Sequence, residues 1–346
     1  MTSHPGTLWL AAVQSRIDPD TYASEEAFEE WVLAQARHAT SGRDPAEPAL
    51  VAFPELLGMP LAFGLTGLLG RGATLGDAVR GLLTREWRQA LYLGASKRNL
   101  TPSAFLLPGA KRVHRAVVRA FSRAARETNS TVVGGSAFLP VVDDEAALGT
   151  FLASARVRNL AYTFAPTGAL VARNAKMRLT RGLESSIGLA GGNLTDVVTA
   201  DTTAGRSCTL ICYDAFFETA LERADGLGAS ILVQPSANAR PWDGPWSADR
   251  TLREGEEWLR RGPAARIQGR ANLAYCLNPM LVGTLLGLEF EGRSSLIANL
   301  PLTDLPAGSL PEAPGVLAIA RDARSQAVVT ARVPRPNPDG RPVTEQ

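Results

Sequence analysis

Histidine, cysteine and lysine are the scarcest functional residues of the chain. Each occurs three times among 346 residues, so that 33 of the 36 basic residues are arginine. Neither a His-Glu-x-x-His nor a Cys-x-x-Cys motif is present, and the sequence therefore predicts no conventional zinc site. Three cysteines give no even disulfide framework, which indicates a reducing compartment. In an enzyme of this composition, we expect acid–base chemistry to fall on carboxylates, cysteine or lysine.

Charge and hydropathy argue against two classes of partner. Lys and Arg number 36 against 34 Asp and Glu, and the net charge of +2 gives no electrostatic footprint for nucleic acid or an anionic membrane. The amino terminus lacks the basic start of a signal peptide. The longest uncharged run, residues 271–288, contains asparagine and proline and is interpreted as a buried strand and loop. We therefore expect a cytoplasmic protein with neither nucleic acid nor membrane as a partner.

Strand and helix patterns alternate along the chain, which predicts an α/β or mixed layered fold. Short apolar runs at residues 8–13 and 49–53 are typical of buried strands. Ser24, followed by two glutamates and an apolar periodicity, predicts a helix. Residues 58–110 are rich in glycine and leucine with few strand signals, and we predict that they form an insertion or lid. Residues 334–346 are proline-rich and polar, and we predict a loose tail there.

Three side chains that could do chemistry follow predicted strands: Glu55, Lys176 and Cys212. Catalytic groups in α/β folds gather at the carboxyl ends of strands. Taken singly, each has an ordinary interpretation, as a solvated turn acid, a solvent-facing lysine and a core cysteine. Taken together, they supply a nucleophile, a base for its proton and a cation that could stabilise an oxyanion. This set requires no histidine.

Motifs around these residues carry a family resemblance. They are Ala11-Ala12-Val13-Gln14, Phe53-Pro54-Glu55-Leu56, Asn159, Pro166-Thr167-Gly168, Asn174-Ala175-Lys176, Ile211-Cys212-Tyr213-Asp214, Gly228-Ala229 with Pro235-Ser236, Arg270-Ala271-Asn272 and Gly292-Arg293-Ser294. In this order and spacing the chain resembles the nitrilase, or carbon–nitrogen hydrolase, superfamily over residues 8–332. The resemblance implies a single domain over residues 1–333 with a four-layer αββα sandwich fold, and an activity that needs neither metal nor cofactor.

The resemblance also implies a role for each candidate site residue. Cys212 would be the nucleophile and Glu55 its base. Lys176 and the backbone N–H of Tyr213 would stabilise the oxyanion. Glu184, eight residues after the lysine, matches a second family glutamate that holds the lysine or the substrate.

The residues after the nucleophile depart from parts of the family pattern. Tyr213-Asp214 replaces the Trp-Glu of true nitrilases and resembles the amidase and carbamoylase branches. Phe216 stands where an arginine binds a substrate carboxylate in some branches. A pocket with Phe216, Phe217 and Trp242, and with Asn238 as a further member, is therefore expected to take an uncharged or apolar amide.

The implied function is hydrolysis of a non-peptide C–N bond, above all of an amide, through a cysteine thioester with release of ammonia or an amine. A soluble N-acyltransferase, an N-carbamoyl amide hydrolase and a catalytically silent binding or scaffold protein remain open. The expected partners are a small-molecule amide substrate and further copies of the chain, since members of the superfamily form homodimers or larger assemblies.

The remaining cysteines and histidines are assigned structural positions. A run from Cys208 to Cys212 in a single strand would place both side chains on one face. A thiol redox pair of Cys208 and Cys212 would instead require a turn or helix there. The histidines, His114 among them, are interpreted as surface or helix residues.

Overall fold

The computed structural model describes residues 6–70, 72–96, 101–141, 156–303, 305–311 and 313–336. The strands are β1 (Thr7–Arg16), β2 (Ala49–Ala52), β3 (Thr131–Pro140), β4 (Val157–Phe164), β5 (Leu170–Ala175), β6 (Thr199–Thr202), β7 (Gly205–Thr209), β8 (Ile231–Val233), β9 (Ser236–Ala237), β10 (Tyr275–Asn278), β11 (Met280–Leu285), β12 (Leu288–Phe290), β13 (Ser295–Ala298), β14 (Val316–Ile319) and β15 (Ala327–Pro334). The α-helices are α1 (Glu25–Ala39), α2 (Leu61–Gly64), α3 (Leu75–Ser96), α4 (Ala110–Thr128), α5 (Leu183–Ser186), α6 (Glu218–Gly226), α7 (Glu254–Arg261), α8 (Pro263–Arg266) and α9 (Leu300–Thr303).

The strands form two mixed sheets. The larger has the order β12-β11-β1-β2-β3-β4-β5, with β15 paired to β1 and β9 paired to β11. In it, β2 is parallel to β1 and β3, whereas β3, β4 and β5 are antiparallel neighbours. The smaller sheet has the order β14-β13-β10-β8-β7-β6, with β8 parallel to β7 and β10. The segments that follow β2, β5 and β7 carry the candidate site.

Alternation of side chains along the strands builds four layers. Leu8, Leu10 and Ala12 of β1 pack with Ile231 and Val233 of β8 in a core between the two sheets. The intervening side chains of β1 pack instead beneath α1 and α4. On the other side of the molecule, the smaller sheet packs beneath α6 and α8. This order of layers confirms the predicted αββα sandwich.

The predicted helix after Ser24 is confirmed, and its start has a clear physical cause. The Ser24 side chain accepts a hydrogen bond from the Ala27 N–H, which caps α1, and two glutamates occupy the first turn. The apolar face of α1 then packs with α4 over the larger sheet.

Residues 58–110 contribute helices to the larger sheet's side of the molecule. They contain α2, α3 and a 3-10 helix at Pro102–Leu106, and their buried side chains join the core beneath α1 and α4. Among the described residues, no helix combines the length and the apolar character that crossing a bilayer requires. The role of residues 58–110 as a lid stays a prediction.

The structure refines the sequence interpretations of Cys212 and of His114. β7 ends before Cys212, which instead begins a 3-10 helix (Cys212–Phe216), so Cys208 and Cys212 do not share one strand face. His114 lies on a helix as predicted, but the side chain is buried inside the molecule. There, burial and the charge of Arg173 lower its pKa to about 4.

The first residue of the predicted carboxyl-terminal tail, Pro334, belongs to a strand. Pro334 is the last residue of β15 and pairs with Thr7, and its carbonyl accepts a hydrogen bond from the Tyr275 hydroxyl at 2.8 Å. The remainder of the predicted tail, residues 337–346, lies outside the described residues.

Candidate active site

Glu55 is held in a tight turn directly after β2. Leu56 has a φ of 63°, and its N–H donates to Ser136 Oγ at 3.0 Å. Beside it, Gly135 of β3 has a φ of 66°, and a Cβ at this position would overlap with the Pro54 carbonyl oxygen. Only glycine accommodates both the backbone conformation and the close approach. The turn places the Glu55 carboxylate inside the protein, where the residue is 2% exposed.

Lys176, the residue after β5, lies between two buried carboxylates. Its Nζ donates at 2.7 Å to Glu55 Oε1 and at 2.7 Å to Glu184 Oε2. Asn159 of β4 bridges the same acids, because its Nδ2 donates to Glu55 Oε1 at 2.9 Å and to Glu184 Oε1 at 2.7 Å. Across the described residues, no group of His, Cys, Asp and Glu side chains could hold a metal ion. The cation between these carboxylates is the lysine ammonium.

Cys212 reaches this network from the smaller sheet. Its thiol lies close enough to Glu55 for the charge of that carboxylate to raise the thiol's pKa, and the Ala237 N–H donates to Glu55 Oε2 at 3.1 Å. The Cys212 N–H donates to the Pro235 carbonyl at 2.8 Å, and its carbonyl accepts from Gln234 Nε2 at 2.8 Å. These bonds hold Cys212 at a φ of 51°. Such strained conformations of non-glycine residues cluster at functional sites.

Asp214 joins the nucleophile turn to the lysine. Its Oδ2 accepts from the Met177 N–H at 2.9 Å and its Oδ1 from the Arg178 N–H at 2.8 Å. These two residues follow Lys176 directly, so the carboxylate fixes the chain after β5 against the 3-10 helix that begins at Cys212. The residue is buried, and burial raises its pKa to about 6.

Burial and charge together set the protonation of the network. Burial raises the pKa of Glu55 to about 7, the Lys176 charge opposes this rise, and the Glu184 charge adds to it. Burial alone would lower the pKa of Lys176, but the charges of Glu55, Cys212 and Glu184 outweigh it and leave that pKa above its ordinary value. Burial, with the charge of Glu55, raises the pKa of the Cys212 thiol. Near neutral pH the network therefore holds an ammonium, a thiol and a carboxyl group able to exchange a proton with it.

Aromatic side chains form a wall beside the nucleophile. Trp258 of α7 packs against the buried cluster of Ala161, Ile211 and Cys212. Its ring centroid lies 5.1 Å from that of Phe216 and 6.3 Å from that of Trp242. Two predicted pocket residues, Phe216 and Trp242, thus meet through Trp258, and these three rings are called the aromatic wall below.

A further predicted pocket residue, Asn238, is buried and bonded to backbone. Its Nδ2 donates to the Arg240 carbonyl at 3.1 Å and to the Glu291 carbonyl at 3.2 Å. Glu291 Oε2 in turn accepts from the Trp242 N–H at 2.8 Å. Asn238 therefore supports the loop that carries Trp242, and a direct contact with substrate stays a prediction.

Tyr213 is considered for its backbone N–H, since its ring is largely exposed. It directly follows Cys212 in the first turn of the 3-10 helix, where backbone N–H groups have no partner within the helix. Its ring is 49% exposed and lies 5.0 Å from the Phe217 ring, centroid to centroid. The oxyanion role of its N–H stays a prediction.

Four residues of the site received no role from the sequence: Asn159, Asp214, Ala237 and Trp258. Asn159 and Asp214 lie inside the motifs that carry the resemblance. The motifs therefore point to these positions but do not reveal which residues they contact. Ala237 acts through its backbone, which no side-chain pattern reveals. Trp258 belongs to no motif; its only signal is an apolar ring on a charged helix.

Several solved structures resemble the chain in fold. A carbon–nitrogen hydrolase from Helicobacter pylori G27 has a TM-score of 0.62 and 15% identity, over 94% of this chain and 89% of that one. Nit3 from Saccharomyces cerevisiae, described as a member of branch 10 of the nitrilase superfamily, has a TM-score of 0.54 and 16% identity, over 95% and 90%. An amidase from Nesterenkonia sp. has a TM-score of 0.57 and 14% identity, over 97% and 92%. At these identities the likeness shows the fold alone.

Sequence comparison supplies the family. A comparison with curated proteins finds no significant match. The family model described as carbon-nitrogen hydrolase matches residues 10–300, which is most of the chain and includes the whole network around Glu55, Lys176 and Cys212. The chain therefore belongs to the carbon–nitrogen hydrolase family, within the nitrilase superfamily.

Proposed function

We propose that the protein is a cysteine-dependent hydrolase that cleaves the C–N bond of a small amide. The observation that carries this proposal is the buried network in which Lys176 donates to Glu55 at 2.7 Å and the Cys212 thiol lies within the charge influence of both. It offers a nucleophile, a proton acceptor and an oxyanion donor grouped around one carboxylate. Membership of the family supports carbon–nitrogen chemistry at this network.

The first half-reaction transfers the acyl group of the amide to sulfur. Glu55 takes the thiol proton while Cys212 Sγ bonds to the carbonyl carbon. The carbonyl oxygen becomes an oxyanion, which the Lys176 ammonium and the Tyr213 N–H stabilise. The carbonyl then re-forms, the C–N bond breaks, and Glu55 returns the proton to the leaving nitrogen. Ammonia or an amine departs, and a thioester remains on Cys212.

The second half-reaction releases the acid. Glu55 removes a proton from water, whose oxygen bonds to the thioester carbon. The C–S bond breaks, the sulfur recovers the proton, and a carboxylic acid leaves. Glu184 and Asn159 act as positioning residues in both halves, because they hold Lys176 and Glu55 through bonds of 2.7–2.9 Å.

Phe216 supports a substrate that lacks a carboxylate near the reacting carbonyl. The ring takes the position of the arginine that the resemblance would place there, and it packs edge-on against Trp258. An apolar wall of this kind offers no counter-charge to a carboxylate, whose burial without a partner is strongly disfavoured. Strong preference for N-carbamoyl amino acids over neutral amides would contradict this assignment.

An ammonia-release screen over amides, nitriles and N-carbamoyl compounds tests the function. We expect amides to be hydrolysed, and Cys212→Ala to abolish turnover while the circular-dichroism spectrum and Tm stay near those of the wild type. Cys208→Ala is the matched control, since that thiol is buried in the core beneath α6 and should leave turnover largely intact. Turnover near the wild-type rate in Cys212→Ala would overturn the nucleophile assignment.

The same screen separates the alternatives. Amines added as competing nucleophiles would yield N-acyl products if the protein is an acyltransferase. Preferential release from N-carbamoyl amides would assign it to that class of hydrolase. Substrate binding with neither turnover nor a trapped thioester would identify a binding protein on this fold.

A further inference from the structure

Both backbone polar groups of Cys212 are bonded to the segment that follows β8. The Cys212 N–H donates to the Pro235 carbonyl at 2.8 Å, and the Cys212 carbonyl accepts from Gln234 Nε2 at 2.8 Å. The first of these bonds uses main chain alone, whereas the second depends on a side chain. The direction of the Cys212 carbonyl is therefore set by one glutamine.

Gln234 is held in place by the strand beside it. The residue is fully buried, its N–H donates to the Leu277 carbonyl at 2.8 Å, and its carbonyl accepts from Asn278 Nδ2 at 2.8 Å. Both partners belong to β10, the neighbour of β8 in the smaller sheet. Since a carbonyl oxygen only accepts, the Gln234 amide must turn its NH₂ group toward Cys212. The nucleophile turn thus leans on a donor that is anchored in the sheet.

The Cys212–Tyr213 peptide carries this restraint to the Tyr213 N–H. The peptide is trans and planar, so its C=O and N–H point in opposite directions. Because Gln234 holds the carbonyl, the N–H points away from Gln234. Among the described residues, no acceptor is bonded to that N–H. Its direction is therefore fixed from the carbonyl side of the plane.

The residues on either side of this peptide are held independently of Gln234. Cys212 keeps the bond from its N–H to the Pro235 carbonyl, and its side chain packs in the cluster beside the aromatic wall. The Asp214 N–H donates to the Ile211 carbonyl at 3.0 Å, and its carboxylate is bonded to the chain after β5. A peptide plane between two held residues can turn about its flanking dihedrals with little movement of either. Loss of the Gln234 donor should therefore redirect one N–H while the sulfur stays in place.

We propose that Gln234 is a positioning residue for the oxyanion: it keeps the Tyr213 N–H, and not the Cys212 carbonyl, directed at the carbonyl oxygen of the substrate. This inference rests on the proposed function, which assigns that N–H to the oxyanion. Without the glutamine donor the buried Cys212 carbonyl would be left unpaired, which disfavours the present orientation. A turned peptide would aim the negative end of its dipole at the developing negative charge.

Acylation and alkylation of the same sulfur separate this role from a structural one. With p-nitrophenyl acetate, Cys212 Sγ bonds to the ester carbonyl carbon, an oxyanion forms and collapses, and p-nitrophenolate leaves. With iodoacetamide, the sulfur displaces iodide and no oxyanion forms. Both reactions need Glu55 to take the thiol proton. We expect Gln234→Met to slow acylation about 100-fold, the low end of what one oxyanion donor contributes, and to change alkylation by less than about twofold.

Gln268→Met is the matched control. Gln268 also donates from its side-chain amide to a backbone carbonyl, that of Ala298 at the end of β13, at 2.9 Å. This variant should leave both rates near those of the wild type. Absorbance of p-nitrophenolate gives the acylation rate, and peptide mapping by mass spectrometry assigns both labels to Cys212. Unchanged acylation in Gln234→Met, or equal slowing of acylation and alkylation, would overturn the inference.

Gln234→Glu provides a second test if Gln234→Met does not fold. The protonated carboxyl group can donate to the Cys212 carbonyl, whereas the ionised form can only accept. The ratio of the acylation rate to the alkylation rate cancels their shared dependence on Glu55. In this variant the ratio should fall as the pH rises, and in the wild type it should stay level. A level ratio in both proteins would count against a role for Gln234.

The outcomes distinguish this inference from the proposed function. A wild-type protein in which Cys212 is alkylated but not acylated would have no oriented N–H donor, and the inference about Gln234 would fail. A slowing of acylation alone in Gln234→Met, without ammonia release from any amide by the wild type, would contradict the hydrolase alone. Ammonia release by the wild type, with acylation unaffected in Gln234→Met, would contradict the role of Gln234 alone.

Discussion

At the scale of single residues, the pKa of Glu55 decides when the network can react. The carboxylate must be ionised to accept the thiol proton, and burial places its pKa at about 7 despite the opposing charge of Lys176. A base with a pKa near the working pH combines the ionised form with enough basicity to take the proton. The negative charge of Glu184 contributes to this value, because it raises the pKa of Glu55 further.

The pH dependence of kcat/KM should therefore rise through an apparent pKa of about 7, since the ionised form of Glu55 is the active base. No descending limb from Lys176 is expected below about pH 10, because its pKa is raised above the ordinary value. In Glu184→Gln the ascending limb should move to lower pH, since a charge that raises the pKa of Glu55 has gone. A limb that stays in place, or moves to higher pH, would refute this account; Glu257→Gln serves as the control.

At the scale of elements, Asp214 couples the ends of two strands from different sheets. It belongs to the 3-10 helix after β7, yet both its oxygens accept from backbone N–H groups that follow β5. Lys176 is the last residue before those donors. The distance between the ammonium and the sulfur therefore depends on one buried carboxylate rather than on either sheet alone.

Asp214→Asn should lower kcat more than it raises KM. The amide keeps one acceptor oxygen but turns an NH₂ group toward a backbone N–H, which loosens the chain after Lys176. Misplacing a reacting group by about 1 Å can cost about 100-fold in rate, and we expect a loss of up to about that size in single-turnover acylation.

Asp225→Asn is the matched control for this prediction. Asp225 Oδ1 accepts from the Asn272 and Leu273 N–H groups at 2.8 and 3.1 Å, away from the site. Both variants should lose about 1–3 kcal/mol of unfolding free energy. Equal losses of kcat in the two variants would show that Asp214 has only a structural role.

The ends of these elements were predictable to different degrees. The strand at residues 49–53 and the acid after it follow from a local apolar run and a proline, and the structure has β2 there. The run at residues 208–212 has the same local character, but its strand ends at Thr209 and Cys212 begins a 3-10 helix. Bonds to Gln234 and Pro235, which lie beyond α6 and β8, hold Cys212 in its left-handed turn. No local pattern contains that contact.

At the scale of the whole molecule, the site exists because the two sheets meet face to face. Glu55 and Lys176 follow strands of the larger sheet, and Cys212 follows a strand of the smaller one. Motif order predicted these three, since each stands in a short recognisable segment, whereas Glu184 was predicted from its spacing of eight residues after the lysine. The aromatic ring of Trp258 could not be assigned, because only the packing of α7 brings it against the cluster of Ala161, Ile211 and Cys212.

The same architecture places the three thiols in two environments. Cys208 and Cys276 lie in the core between the smaller sheet and α6 and α8, whereas Cys212 packs with Ile211 and Trp258. All three are buried, and burial raises the pKa of each, that of Cys208 to about 12. Cys212 differs in lying beside Glu55, whose carboxyl group influences its pKa and can take its proton.

Iodoacetamide should therefore modify Cys212 alone in the folded protein. The thiolate is the reactive form of cysteine, and Glu55 can generate it during attack, whereas the apolar core around Cys208 and Cys276 offers no base. Peptide mapping by mass spectrometry would locate the label, and unfolded protein, in which all three thiols react, supplies the reference. We expect Glu55→Gln to slow labelling of Cys212 by at least about 100-fold, the low end of what a general base contributes, without exposing the other two thiols. Rapid labelling of Cys208 or Cys276, or an unchanged labelling rate in Glu55→Gln, would contradict this prediction. Either result would mean that access of iodoacetamide to a thiol, rather than Glu55 as a base, determines which cysteine reacts.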